Sequence, residues 1–311
     1  MPHIPHLEAI IDPIANDLTS GAAEIALRAI TVFQTVLTES QNLKPSEVKE
    51  NMALAAKAIV NAQPAMAPLF HLGNQVLLAI DKAQTVEEIQ SASASALSEF
   101  DLRLCKSADK IADHVYKLIP PGEMVFAYSF STTVVSSLLH ARSKGKFFRA
   151  VCTESRPSME GRKLATMLAD GGLEVLHTFD SAMGLILPSC RVAFMGADSV
   201  GQPGIVNKVG SWLLSLACKE LNIPLYVLCG TEKFVLGEQV FEFERHERAG
   251  GEVWVDSPKG VRVLNRQFEL IPFSQVAGVV TEFGILGEAD IDKHIGTMEV
   301  HEALKLETSA F

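Results

Sequence analysis

No stretch of about 18 apolar residues runs through the sequence, so no segment is suited to cross a bilayer as a helix. Met1 to Asn16 carries proline, histidine and acidic residues where a secretory leader needs a basic start and an unbroken apolar run, and the expectation is a soluble, cytoplasmic protein with no membrane association. Cationic excess is missing too. A formal net charge of -10 and a pI near 5.4 exclude a surface built to neutralise nucleic-acid phosphates or anionic lipid, although one phosphate can still be held locally. The five cysteines (Cys105, Cys152, Cys190, Cys218, Cys229) form an odd set with no C-x-x-C pair, which argues against a disulfide framework or a zinc knuckle. Nucleotide loops are lacking: there is neither G-x-x-x-x-G-K-[ST] nor a G-x-G-x-x-G between strand and helix. The nine histidines are scattered without H-x-x-x-H or H-E-x-x-H spacing, so no metal and no cofactor is expected.

A chain of 311 residues with 48% hydrophobic and 21% charged residues can bury one large core or two modest ones, and two domains is the better expectation. From Thr19 to about Leu118 the apolar spacing is helical, with breaks at Gln41 to Pro45 and Gln63 to Pro68. The last helix opens on Thr85 with Glu88 three residues on, a capping box. It carries Leu97, Phe100, Leu104, Ala108, Ile111, Val115 and Leu118 at alternating spacings of three and four. Pro120 and Pro121 end it, which predicts a helical domain over residues 1–119 and a second domain over 120–311.

The second part changes rhythm. Short apolar runs at Met124 to Tyr128, Phe147 to Cys152, Leu173 to Thr178, Arg191 to Met195, Leu225 to Cys229 and Ala277 to Thr281 read as strands. Helical candidates at Thr132 to Arg142, Gly161 to Ala169, Ser181 to Leu187 and Lys208 to Leu221 lie between them. Strand, helix, strand at this pace predicts an α/β fold with a doubly wound, Rossmann-like parallel sheet, whose buried strands read as unbroken hydrophobic runs. The stretch from Gly237 to Arg266 is charged and without period, a surface excursion with room for a hairpin.

In such sheets ligands lie beyond the carboxyl ends of the strands, so the residues just past each run are the ones to inspect. After the first come Ser129, Ser131, Thr132 and Thr133, hydroxyls that either cap the next helix or help its N-terminus hold an anion. After the second comes Thr153-Glu154-Ser155-Arg156-Pro157, in which Arg156 suits bidentate phosphate recognition, with a bridge to Glu154 or to a partner subunit as the alternative. Gly196-Ala197-Asp198 puts a carboxylate at a tight turn, where an Asx-turn or a cap competes with a chemical role. Asn207 and Lys208 are expected at the start of the next helix, as a further anion site.

These segments, taken in order, resemble the family that joins the alpha, beta and delta regulatory subunits of translation initiation factor 2B to methylthioribose-1-phosphate isomerase and ribose-1,5-bisphosphate isomerase. The pieces carrying the likeness are Thr153 to Pro157 with Gly161, then Gly196-Ala197-Asp198, Asn207 to Ser211, and Val280 to Leu286. Ser20-Gly21-Ala22 is similar to the family's small-residue phosphate loop, and Cys152 to Pro157 looks closest to the alpha-type subunit. The resemblance implies a sugar-phosphate ligand touching Ser20, Gly21, Ala22, Glu154, Arg156, Asn207 and Lys208. For the isomerases it implies a cysteine and an aspartate as the proton-transfer pair. Asp198 matches the aspartate, but Ser129 stands where the cysteine is expected. A serine hydroxyl is far harder to ionise than a thiol and needs a neighbouring base, and none is evident nearby in sequence. Three functions follow: an alpha-like, regulatory or weakly catalytic sugar-phosphate binder acting as a homodimer; an aldose-phosphate to ketose-phosphate isomerase using Asp198; and a translation regulator acting on initiation-factor subunits, where the source organism has them.

Overall fold

The computed structural model describes residues 6–17, 20, 22–64, 66–236 and 247–305. The chain divides into two compact units, Met1–Cys105 with Thr297–Phe311, and Lys106–Gly296. The division falls inside a helix, earlier than the expected boundary at residues 119 and 120, and the end of the chain returns to the first unit. The reason lies in the stripe on that helix, α5 (Val86–Leu118): Leu97 and Phe100 belong to the core of the first unit, whereas Ile111 and Val115 belong to that of the second.

The first unit is helical: α1 (Leu7–Ala15), α2 (Ala22–Glu39), α3 (Pro45–Ala62), α4 (Ala67–Ile80) and the first part of α5. Local chemistry sets the starts. Pro45 opens α3, and the Glu47 carboxylate accepts from the Lys44 N–H at 2.9 Å. At α5 Thr85 Oγ1 accepts from Glu88 N at 3.2 Å, while the Glu88 carboxylate reaches back one residue further than expected, to Gln84 N at 2.6 Å. α4 is apolar almost all round and is the central helix, with Leu69, Leu72, Val76 and Leu77 buried beside Phe33, Met52, Ile59 and Phe100. The returning segment is clamped by Asn74, whose Nδ2 donates to Glu299 O and whose Oδ1 accepts from His301 N, both at 2.8 Å, and Leu304 joins the core.

The second unit is doubly wound. Its main sheet runs β1 (Met124–Tyr128), β2 (Arg149–Thr153), β3 (Glu174–Thr178), β4 (Cys190–Met195), β7 (Leu225–Leu228), β9 (Gly278–Thr281) and β10 (Gly284–Leu286) in the spatial order β10-β9-β7-β4-β1-β2-β3. All neighbours pair in parallel except β9 and β10, which form an antiparallel edge. The chain moves outward from β1 to β3 and then crosses to β4 on the other side of β1, so the topological switch lies between β1 and β4. β1 and β4 are covered on both faces, with Phe126 and Phe194 fully buried, each worth roughly 1.5–3 kcal/mol of transfer free energy. The helices α6 (Thr132–Ser143), α7 (Glu160–Asp170) and α9 (Ser211–Glu220) fall where expected, whereas Ser181 to Leu187 forms only the four-residue α8 (Met183–Ile186) between 3-10 turns.

A second sheet was not foreseen. β5 (Ser199–Gly201), β6 (Gly204–Lys208) and β8 (Phe268–Ile271) form a three-stranded antiparallel sheet, with Asn207 opposite Glu269 and Lys208 opposite Phe268. Asn207 and Lys208 are therefore strand residues and do not begin the helix. Its first residue is Ser211, set off by Gly210 at φ 101°. Of the charged excursion, residues 237–246 lie outside the described residues, and 247–266 form a 3-10 turn at Gly250–Glu252 and a bridge between Glu247 and Arg266 but no strand. The last helix of this unit is α10 (Glu288–Gly296). Among the described residues no helix is long and apolar enough to cross a membrane.

Candidate functional site

Three polar strand ends meet at the switch. Ser129 leaves β1 at φ 60°, and the loop after β2 holds Ser155 and Met159 at φ 57° and 58°. These are three of the four non-glycine residues in the left-handed region among those described, a conformation that costs each about 1–2 kcal/mol and gathers at functional loops. The loop is pinned from the turn after β3: the Asp180 carboxylate accepts from Ser155 N and Arg156 N, both at 2.8 Å. It is also pulled tight against β2, since a Cβ on Gly161 would stand 1.7 Å from the Thr153 carbonyl oxygen. The first residue of α7, Glu160, thereby reaches β1, and Ser129 Oγ donates to its Oε2 at 2.9 Å.

Glu160 is the hub. Its other oxygen accepts from Ser158 Oγ at 2.8 Å and forms an ion pair with Lys208 Nζ. The Lys208 side chain, 7% exposed, also donates to Ser158 Oγ at 3.2 Å and to Gln267 Oε1 at 2.9 Å. Asp198, half-buried after β4, has its backbone N–H on Val206 O at 2.9 Å. Its carboxyl is pushed above the usual carboxylate range, chiefly by loss of solvent. The Lys233 and Lys208 ammonium groups pull it back, and Glu160 adds to the rise. Lys233, from the turn after β7, is buried, and its side chain makes no hydrogen bond or ion pair to a described residue. Two ammonium groups, a carboxylate and a carboxyl group that tends to keep its proton thus share one field. Such a set can grip an anion with one arm and exchange a proton with the other.

Of the residues singled out in the sequence, Ser129, Asp198 and Lys208 are brought into this one cluster. Arg156 stands on the pinned loop with an exposed side chain that makes no hydrogen bond or ion pair among the described residues. Glu154 turns to Arg162, at 2.7 Å, and not to Arg156. Asn207 is buried beside Lys208 and spends its amide on Ser211 Oγ at 2.8 Å. The N-terminus of α9 is not open to a ligand as expected, because Glu269 Oε1 accepts from Gly210 N and Trp212 N, both at 2.7 Å, and occupies the anion position itself. At α6 the capping reading holds, with Ser131 Oγ accepting from Val134 N at 3.3 Å. Cys152 is fully buried, its thiol pushed up to about 12 by burial, which makes it a structural residue. Ser20 lies in the helical unit, its N–H on Asp17 and its Oγ accepting from Arg28; Ala22 opens α2, and Gly21 falls outside the described residues.

Sequence reasoning missed Glu160, Lys233, Gln267 and Glu269. The carboxylate that meets Ser129 is 31 residues away in sequence, and an acidic residue in a helix's first turn is too ordinary to single out. Lys233 carries a sequence signal, since it lies in the turn just past the apolar run of β7.

The fold is that of a doubly wound α/β protein, with a cluster of charged side chains at its switch point. The chain belongs to the Initiation factor 2 subunit family, whose model matches residues 18–288. It is 30% identical to a Pyrococcus furiosus protein named as eIF-2B subunit 2-like, over 89% of this chain and 95% of that one. It is 26% identical to a ribose 1,5-bisphosphate isomerase of Methanocaldococcus jannaschii, over 93% and 95%. The crystal structure of a Pyrococcus horikoshii translation initiation factor eIF-2B superposes with a TM-score of 0.79 at 29% identity, covering 93% of this chain and all of that one.

Proposed function

We propose that this protein is an alpha-like member of the family that binds a sugar phosphate at the carboxyl edge of β1, β2 and β4, as a homodimer with a regulatory or weakly catalytic role. The observation that carries the reading is the buried Lys208 ammonium beside Asp198 and Lys233 at the switch point, since such a concentration of charge under little solvent is stabilised by a ligand anion. Arg156 on its pinned loop supplies an exposed fork for the same phosphate or a second one. Ser129 supports weak catalysis at most. Its hydroxyl donates to Glu160, and a carboxylate is too weak a base to ionise a serine by many orders of magnitude.

Asp198 favours the second reading, an aldose-phosphate isomerase. A carboxyl group held above its usual range can keep a proton for a sugar oxygen and return it to carbon or oxygen later, which is the acid–base part of an aldose-to-ketose conversion. A role in translation through initiation-factor subunits draws on the likeness to the Pyrococcus proteins alone.

Thermal unfolding of the full chain with ribose 1,5-bisphosphate, 5-methylthioribose 1-phosphate or inorganic phosphate tests the first reading. A ligand at 100 times its Kd should add about 2.7 kcal/mol of stability, and Arg156→Ala and Lys208→Met should remove most of that gain. No shift from any sugar phosphate, or an equal shift from inorganic phosphate, overturns it. Turnover of either sugar phosphate, lost in Asp198→Asn, would establish the isomerase instead.

A further inference from the structure

Behind Lys208 runs a polar chain that the site as described does not use. Lys208 Nζ donates to Gln267 Oε1 at 2.9 Å; Gln267 Nε2 donates to Asn265 Oδ1 at 2.8 Å and to Glu252 Oε2 at 3.2 Å. Asn265 Nδ2 donates to that same Glu252 oxygen and to Ala249 O, both at 2.9 Å. Gln267 and Asn265 are 2% and 1% exposed, while Glu252 stands at the surface in a 3-10 turn of the 247–266 segment. The chain has a direction. A carboxylate and a carbonyl can only accept, so they fix Asn265 with its amide N outward; its oxygen then faces Gln267 and fixes that amide in turn. The one group left at the inner end is the Gln267 oxygen, and an ammonium can only donate to it. Reversing either amide would set N–H against N–H, or oxygen against carboxylate, inside a site with little solvent.

We propose that Gln267 is a positioning residue for the ligand lysine: the chain Glu252–Asn265–Gln267 aims an acceptor at Lys208, holds its ammonium at the strand ends and makes ligand affinity depend on a surface carboxylate of the 247–266 segment. Glu160 and Ser158 hold the same ammonium from the β2 loop, so Lys208 is suspended between two segments, and a phosphate that draws it toward one must stretch the bond to the other. The inference deepens the sugar-phosphate reading and rests on it only for the affinity it foretells; the placement of Lys208 is measurable without ligand.

The test compares Glu252→Lys and Glu252→Gln in the full chain. Lysine at this exposed position removes the acceptor shared by Gln267 Nε2 and Asn265 Nδ2 and leaves Asn265 held by Ala249 O alone, so the Gln267 oxygen is no longer firmly aimed at Lys208. Acetylation of Lys208 by acetic anhydride, read by mass spectrometry, should then rise several-fold, and affinity for ribose 1,5-bisphosphate should fall about tenfold, the scale of one charge-assisted hydrogen bond. Long-range electrostatics alone foretells the opposite sign, since replacing a negative by a positive group raises the affinity for an anion. Glu252→Gln keeps an acceptor oxygen and should return both values to within about twofold of native. Gln267→Leu, which removes the inner acceptor, should act in the same direction as Glu252→Lys. Native Lys208 reactivity in folded Glu252→Lys and Gln267→Leu proteins, or a rise in anion affinity in Glu252→Lys, overturns the proposal. If Lys208 reactivity responds while the native protein binds no sugar phosphate, the positioning role stands and the ligand reading fails.

Discussion

Replacing Gly161 by alanine should strike stability and site together. The added Cβ would lie 1.7 Å from the carbonyl oxygen of Thr153 and 2.8 Å from its carbon, where real Cβ contacts stay beyond 3.0 Å, so the first turn of α7 must retreat from β2 by more than an ångström. The obstacle is backbone, not the tip of a flexible side chain, which points to the upper end of the roughly 1–3 kcal/mol that overpacking costs. The bond from Gly161 N to Glu154 O, 3.1 Å long, goes with it, for about another 1 kcal/mol. Alanine's better helix propensity returns about 1 kcal/mol, leaving a net loss of about 3 kcal/mol. At about 2–4 °C per kcal/mol for domains of about 150–250 residues, the melting temperature should fall by about 6–12 °C. The same retreat moves Glu160 out of reach of Ser129 Oγ, now 2.9 Å away, so sugar-phosphate binding should weaken in protein that is still folded. Thermal unfolding followed by near-UV circular dichroism gives the first number and calorimetric titration the second. Gly184→Ala, in open space within α8, is the control and should leave the melting temperature equal or higher. A Gly161→Ala protein that melts within about 1 °C of native would refute the reasoning.

Asp198→Asn should be a pH-dependent stabiliser. Below about pH 4 the native side chain is protonated folded and unfolded alike. Above that pH the unfolded chain releases the proton first, because the folded group is shifted up by burial, and the native protein loses stability until the folded group also ionises. The melting advantage of the variant should therefore widen from pH 4 towards pH 7, and a gap that widens towards acid would contradict the burial argument. Thiol titration of the folded protein near pH 8 should find Cys105 alone reacting quickly, since Cys152, Cys190 and Cys218 are buried with thiols at about 12, about 11 and about 12 and Cys229 is raised by burial as well. Rapid modification of Cys152 would contradict its burial. Asn74→Ala removes both bonds to the returning C-terminal segment and should cost about 1–3 kcal/mol, with proteolysis appearing first between Thr297 and Leu304. Unchanged protease resistance would show that Leu304 alone suffices.

The sequence by itself determined the layers. Apolar runs at Met124, Arg191 and Leu225 are long and unbroken because parallel strands are covered on both faces, and the three-and-four spacing of α5 could only be a buried helical stripe. The carboxyl-edge rule points to Ser129 and Asp198, because the topology of a doubly wound sheet puts the ends of β1 and β4 on one rim, whereas Lys208 closes β6 of the second sheet. Tertiary structure decided what these groups are to one another. Asn207 and Lys208 read as the start of a helix until β5 and β8 offer β6 its partners, since so short a run carries too little period to choose a ladder from a turn. The division inside α5 depends on which core each end of the stripe meets. Glu160 on Ser129, Glu269 on the α9 terminus and Gln267 behind Lys208 join residues 31, 57 and 59 positions apart. Hydrogen bonds act over about 3 Å, and nothing in local composition marks which distant carboxylate or amide will arrive at that distance.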